Sequence, residues 1–101
     1  MTDVDIVEQV EGLFRKAGGA HHQAFIKTNG EDPDWPLWYA DYLLEKLRKL
    51  LNAKFTKSEL VYLLVIAEKV RALMAPGADW SKYCANFFIE RYIYFPMLPK
   101  V

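Results

Sequence analysis

Apolar residues recur at helical spacing in four blocks of the chain. In the first, Ile6, Val7, Val10, Leu13, Phe14 and Ala17 fall three or four positions apart, the single stripe by which a surface helix faces a core. Thr2 or Asp3 is placed to cap it, with Asp5 and Glu8 in its first turns. Gly18-Gly19 interrupts the stripe. Each glycine costs a helix interior about 1 kcal/mol relative to alanine, so the pair predicts a kink, a close helix contact or a break before helical spacing resumes at Ala20, Ala24 and Phe25. Asn29-Gly30 is a stop, because glycine is free to take the left-handed conformation past a helix end. Glu31-Asp32-Pro33 reads as a loop.

Asp34 is placed to cap the second helix, and Pro36 falls in its first turn, where a missing N–H has no helical partner to lose. Trp35, Trp38, Tyr39, Tyr42, Leu43, Leu47, Leu50 and Leu51 form its apolar stripe, and the helix should end near Asn52. The third helix begins with Phe55-Thr56-Lys57-Ser58-Glu59-Leu60, a capping box with a hydrophobic staple. Leu60 to Ala67 is apolar all round and predicts the most buried helix. Val70, Leu73 and Met74 continue one face, while Glu68, Lys69 and Arg71 reach solvent, and Pro76-Gly77 ends it. Asp79 caps the fourth helix, whose apolar side is Trp80, Tyr83, Cys84, Phe87, Phe88 and Tyr92, with Tyr94 either its last member or the first residue of the tail. The tail, residues 94–101, has two prolines and should be extended. Period-two alternation is nowhere sustained, so no strand is predicted.

Laid over one another at an offset of 45 residues, 34–46 and 79–91 align without gaps. Asp34/Asp79, Trp35/Trp80, Ala40/Ala85 and Glu45/Glu90 are identical, and Trp38/Tyr83, Tyr42/Phe87 and Lys46/Arg91 are conservative. A helical hairpin used twice, about 3–52 and 56–93, explains this. Two such units should close on each other as an all-α, compact four-helix domain. Each Asp would cap a helix and each Trp would cover the end of the preceding helix. Alternatively, the two Asp-Trp corners face each other and line a site.

Composition narrows the function classes. The 101 residues form one domain, 1–101, with 52% hydrophobic and 15% aromatic residues, enough for a packed core. Thirteen bases balance thirteen acids, which argues against a nucleic-acid coat protein. The longest apolar run is too short to span a bilayer, and the acidic N-terminus lacks a signal pattern. A single Cys84 rules out an internal disulfide. The reading is a cytoplasmic protein with no membrane or nucleic-acid partner and no cofactor. Charge is uneven, however. Residues 1–34 carry seven acids and three bases, whereas 46–57 carry five bases and no acid. Helix-end chemistry accounts for that distribution, and a basic patch for an acidic partner is the sharper alternative.

His21-His22 is the most reactive-looking pair. Adjacent helical residues point about 100° apart, so they do not chelate one metal on a regular helix. The expectation is one core-facing, hydrogen-bonded histidine beside one exposed histidine. A metal would need acids brought from elsewhere, such as Asp32 or Asp34. Cys84 falls on the apolar side as a buried, inert thiol. No phosphate loop, nucleophile elbow or zinc-protease motif is present.

His21-His22-Gln23-Ala24-Phe25, the run from Gly30 to Leu43, and Ser58-Glu59-Leu60-Val61-Tyr62 together resemble a family of small uncharacterised bacterial proteins. The resemblance covers most of the chain. It implies a bacterial origin and a shared fold, and no activity. The first functional expectation is a non-enzymatic interaction module that homodimerises or docks a protein partner through Tyr94, Phe95, Met97 and Leu98. The second is a small-ligand or metal-ion site at His21, His22, Asp32, Asp34, Trp35 and Trp38. An enzyme using those acids and histidines as general acid and base ranks third.

Overall fold

The computed structural model describes residues 3–96. Its helices are α1 (Asp3–Ala24), α2 (Trp35–Leu51), α3 (Lys57–Met74) and α4 (Trp80–Ile89), with a 3-10 turn at Ile26–Thr28 and a π-helical extension of α4 at Glu90–Tyr94. No strand occurs among the described residues. Helix α1 packs on α2 and α4, and α3 packs on the same two, so the four close into a ring around one core. Thr2, Met97 and Leu98 lie outside the described residues.

The predicted stripes form that core. Ile6, Val10, Leu13, Phe14 and Ala17 of α1 are buried against Tyr39, Leu43, Leu47 and Leu51 of α2 and Leu60, Leu63, Leu64 and Ala67 of α3. Fully buried Phe88 sits among aromatic rings from three parts of the chain. Its centroid lies 5.7 Å from Phe14, 6.4 Å from Phe55 and 5.5 Å from Phe87.

Local signals decide the helix ends. Asn52 closes α2 in the left-handed conformation, with φ 50°. At the start of α3 the Glu59 N–H donates to Thr56 Oγ1 (3.1 Å) and the Thr56 N–H donates back to Glu59 Oε1 (2.8 Å). Phe55 and Leu60 are both buried beside this box, as a staple requires. Asp79 caps α4, its Oδ2 accepting from the Lys82 N–H at 3.0 Å. The basic stretch is largely engaged at helix ends. Arg48 donates to the Phe55 carbonyl, Lys57 pairs with Asp41, and Lys46 lies over the Tyr42 ring.

Five expectations change. Helix α1 runs through Gly18-Gly19 without a break. A Cβ on Gly18 would meet only the Tyr39 hydroxyl at 4.0 Å, and one on Gly19 nothing, so no close approach needs them. Asp34 precedes α2, but its side chain makes no cap bond. Helix α3 is not the most buried: Tyr62 is 51% exposed, Leu73 81% and Met74 74%. Glu68 and Arg71, expected in solvent, are instead only partly exposed. Finally, of the two placements open to Tyr94 the helical one holds and the tail begins later, after the turn closed by the Phe95 N–H on the Glu90 carbonyl.

Phe88→Ala should cost about 3–5 kcal/mol in urea denaturation, the range for emptying a buried aromatic site. Gly19→Ala should stabilise by up to about 1 kcal/mol, because the new methyl meets nothing and the helix gains propensity. Gly30→Ala should do the opposite by about 1–2 kcal/mol, since Gly30 has φ +87° and its Cβ would lie 3.2 Å from His22 Nδ1.

Candidate functional site

The connection from α1 to α2 is built from short-range bonds. The Gly30 N–H donates to the Phe25 carbonyl at 2.8 Å, and the Thr28 hydroxyl shares its proton between the carbonyls of Phe25 and Glu31. Asn29 (φ 58°) and Gly30 (φ 87°) turn the chain back. The Asp34 N–H then donates to Asp32 Oδ1 at 3.1 Å, an Asx-type turn that leads into α2. Asp32, two residues upstream, thus takes the organising role expected of the Asp34 side chain.

The other oxygen of Asp32 reaches α1. His21 Nε2 donates to Asp32 Oδ2 at 3.1 Å, and both side chains are 9% exposed. The donor assignment follows from the carboxylate, which only accepts when ionised. The His21 ring stacks on Tyr39 (4.9 Å, 21°) and meets the edge of Trp38 (5.0 Å, 80°) and the face of Phe25 (4.8 Å, 31°). Tyr39 in turn touches Trp35 at 6.0 Å and Trp80 at 4.9 Å, and Trp80 packs edge-on against Phe14 at 5.5 Å. Trp80 therefore reaches across to α1 and α2.

On the opposite side, Arg71 holds the connection from α3 to α4. Its Nε and Nη2 pair with Glu68 Oε1 and Oε2, each at 2.9 Å, and its Nη1 donates to the carbonyls of Pro76 (3.1 Å) and Ala78 (3.3 Å). Between these two corners lies a cleft of about 390 Å³, lined by His21, Gly30, Asp32, Trp35, Tyr39, Glu68, Arg71 and Trp80. All four helices and the first connection contribute. The volume falls within the range of small-molecule sites, roughly 300–1,000 Å³.

Of the six ligand-site candidates, His21, Asp32 and Trp35 line the cleft. Trp38 supports His21 from behind, and also stacks on Tyr42 at 5.4 Å. His22 and Asp34 are exposed and do not line it. The histidine pair is thus split as expected, one core-facing and hydrogen-bonded, the other in solvent. Trp35 and Trp80, equivalent at the 45-residue offset, line the same space. Among the described residues no group of three or more His, Cys, Asp or Glu is placed to hold a metal ion. No family model, curated protein or solved structure matches the chain.

Gly30, Tyr39, Glu68 and Arg71 are the lining residues that pattern reading missed. The signal for Arg71 was present in the register. At 100° per residue, Arg71 projects within about 20° of Leu60, along the same inner face as Leu64 and Ala67. An arginine on a core-facing stripe near a helix end is placed to bind carbonyls of the next turn.

Cys84 lies in the core, fully buried beneath this end of the bundle. Burial, with a smaller contribution from the Glu68 charge, pushes its thiol from the ordinary 9.0 up to about 12. The protonated form is therefore favoured in the folded chain. The resulting stabilisation is fully present below pH 9.0 and is lost as pH rises toward about 12. Cys84→Ala should flatten the alkaline fall in stability, by on the order of 1 kcal/mol at about pH 10, measured by urea titration. The native thiol should also resist a disulfide reagent at about pH 8 and react once unfolded.

Proposed function

We propose that the chain is a non-enzymatic binding module and that its site is the cleft between the Asp32–Trp35 and Arg71–Trp80 corners. The observation that carries this reading is the convergence itself. Two tryptophans and a tyrosine form apolar walls, and two polar pairs, His21–Asp32 and Glu68–Arg71, are fixed at its edge by bonds to opposite connections. Apolar walls with a few oriented polar groups are what a small-molecule site presents. The polar groups are held by backbone and by one another, so the site is preorganised and an occupant meets little ordering cost. The cytoplasm and a bacterial source belong to the same proposal.

A fragment library screened by amide and indole NMR on the full chain tests it. Hits should shift the indole N–H signals of Trp35 and Trp80, and Trp80→Leu should weaken them about tenfold, the effect of losing one aromatic wall. Hits that cluster on another face, with both indoles unmoved, would remove the cleft from consideration.

Exposed apolar residues favour a second reading, an interaction module that pairs with itself or another protein. Tyr62, Val70 and Leu73 project from the outer side of α3, and Tyr94 and Phe95 are 46% and 54% exposed. No helix among the described residues is long and apolar enough to cross a membrane. Apolar side chains of this kind mark protein contacts when contiguous. Light scattering should then show a dimer at high protein concentration that Leu73→Glu or Phe95→Glu dissociates. A strict monomer, unchanged by either substitution, leaves self-association without support.

A further inference from the structure

The geometry points to an organic cation as the ligand of the cleft: a group carrying an alkylated ammonium, held against aromatic faces beside Asp32. This inference rests on the cleft being the binding site. Three observations lead to it.

The first is the wall. Trp35, Tyr39 and Trp80 each bring an aromatic ring to one space, with Trp35 and Trp80 both within 6.0 Å of Tyr39 between ring centroids. Aromatic faces carry partial negative charge, and they attract cations that shed water readily. Alkylated ammonium groups do so, whereas small inorganic ions keep their hydration and want several oxygen ligands. No such cluster of acids occurs among the described residues.

The second is the charge balance. Asp32 and Glu68 bring two carboxylates, Arg71 brings one guanidinium, and His21 adds a charge only if protonated. Glu68 and Arg71 face each other in a bidentate pair, and Arg71 also donates to two backbone carbonyls. The guanidinium is therefore largely committed to Glu68 and to backbone, and Asp32 is held by the His21 ring and the Asp34 N–H, with no arginine or lysine paired to it among the described residues. Two hydrogen bonds reach it, one at each oxygen, out of about four that a carboxylate accepts.

The third is that helix dipoles do not reverse the sign. The N-termini of α2 and α4 and the C-terminal turns of α1 and α3 all lie at this end, contributing Trp35, Trp80, His21 and Arg71. Partial charges of opposite sign thus surround the cleft in equal number and largely offset. The side chains decide.

The test titrates the full chain with tetramethylammonium chloride, tert-butanol and sodium acetate at matched ionic strength, following tryptophan indole NMR signals and fluorescence. Tetramethylammonium should give saturable shifts at Trp35 and Trp80, with the neutral isostere at least about tenfold weaker. Asp32→Asn should weaken the cation about tenfold and leave tert-butanol unchanged, whereas Glu45→Gln, remote from the cleft, should alter neither. Near-UV circular dichroism checks that Asp32→Asn keeps its packing. Trp80→Leu is the second variant and should weaken the cation without removing a charge. Equal binding of tert-butanol, saturation by acetate, or no shift with tetramethylammonium overturns the inference. Saturation by either other probe at these indoles would do so while leaving the cleft as a site. Fragments that bind only elsewhere would remove the site itself.

Discussion

Among the described residues, His21 is the one buried residue of the polar and charged classes, and its need for a partner sets the geometry of the open end of the bundle. A buried imidazole without a hydrogen bond is costly, on the order of 1–3 kcal/mol for the lost solvation. Asp32 meets that need only if the chain leaves α1 and turns back over its last turn. Asn29 and Gly30 in left-handed conformations make the reversal possible, and the second oxygen of Asp32 receives the Asp34 N–H and directs the start of α2. Trp35 and Tyr39 follow within the next turn and a half. The stack of His21 on Tyr39 is therefore a consequence of the same bond.

The second corner solves the equivalent problem by a different route. There the helix supplies the long side chain and the connection supplies the acceptors. Arg71 reaches past the end of α3 to the carbonyls of Pro76 and Ala78, and Glu68 fixes its orientation one turn earlier. Asp79 then caps α4 directly. A planar guanidinium with five donors suits this task because it satisfies several acceptors in fixed directions. Each corner is thus tied to its own helix, and the core of the ring holds the two corners together. Tyr39, from one hairpin, and Trp80, from the other, meet at 4.9 Å in the floor between them.

The helices were legible in the sequence because periodic burial and end signals act locally. The capping box at Thr56–Glu59, the stop at Asn29-Gly30 and the stripe from Ile6 to Ala17 all depend on neighbours within about one turn. The partition of His21 and His22 was legible for the same reason. What was not legible depends on where one helix ends against another. Leu73 and Met74 continue a helical pattern, but α3 runs past its packing partners there, so they face solvent at 81% and 74% exposure. Arg71, on the inner stripe at that same level, finds carbonyls instead of a core. Glycines misled in the opposite sense. Gly18-Gly19 has the propensity of a break, and twenty-two residues of α1 with a continuous buried stripe override it.

The 45-residue offset relates the two tryptophans of the cleft and none of its charges. Trp35 and Trp80 correspond, and both open a helix at the same end of the ring. The polar lining has no such correspondence. At the same offset Asp32 meets Gly77, His21 meets Ile66, Glu68 meets Gln23 and Arg71 meets Ile26. An aromatic frame alone would accept any apolar group of suitable size, because area burial is not directional. Selectivity has to come from groups that differ between the halves. In this chain those are one carboxylate held by a histidine N–H and a backbone N–H, and one carboxylate matched to a guanidinium. The frame accounts for the presence of a cleft, and in the proposal of a cationic ligand Asp32 gives it a sign.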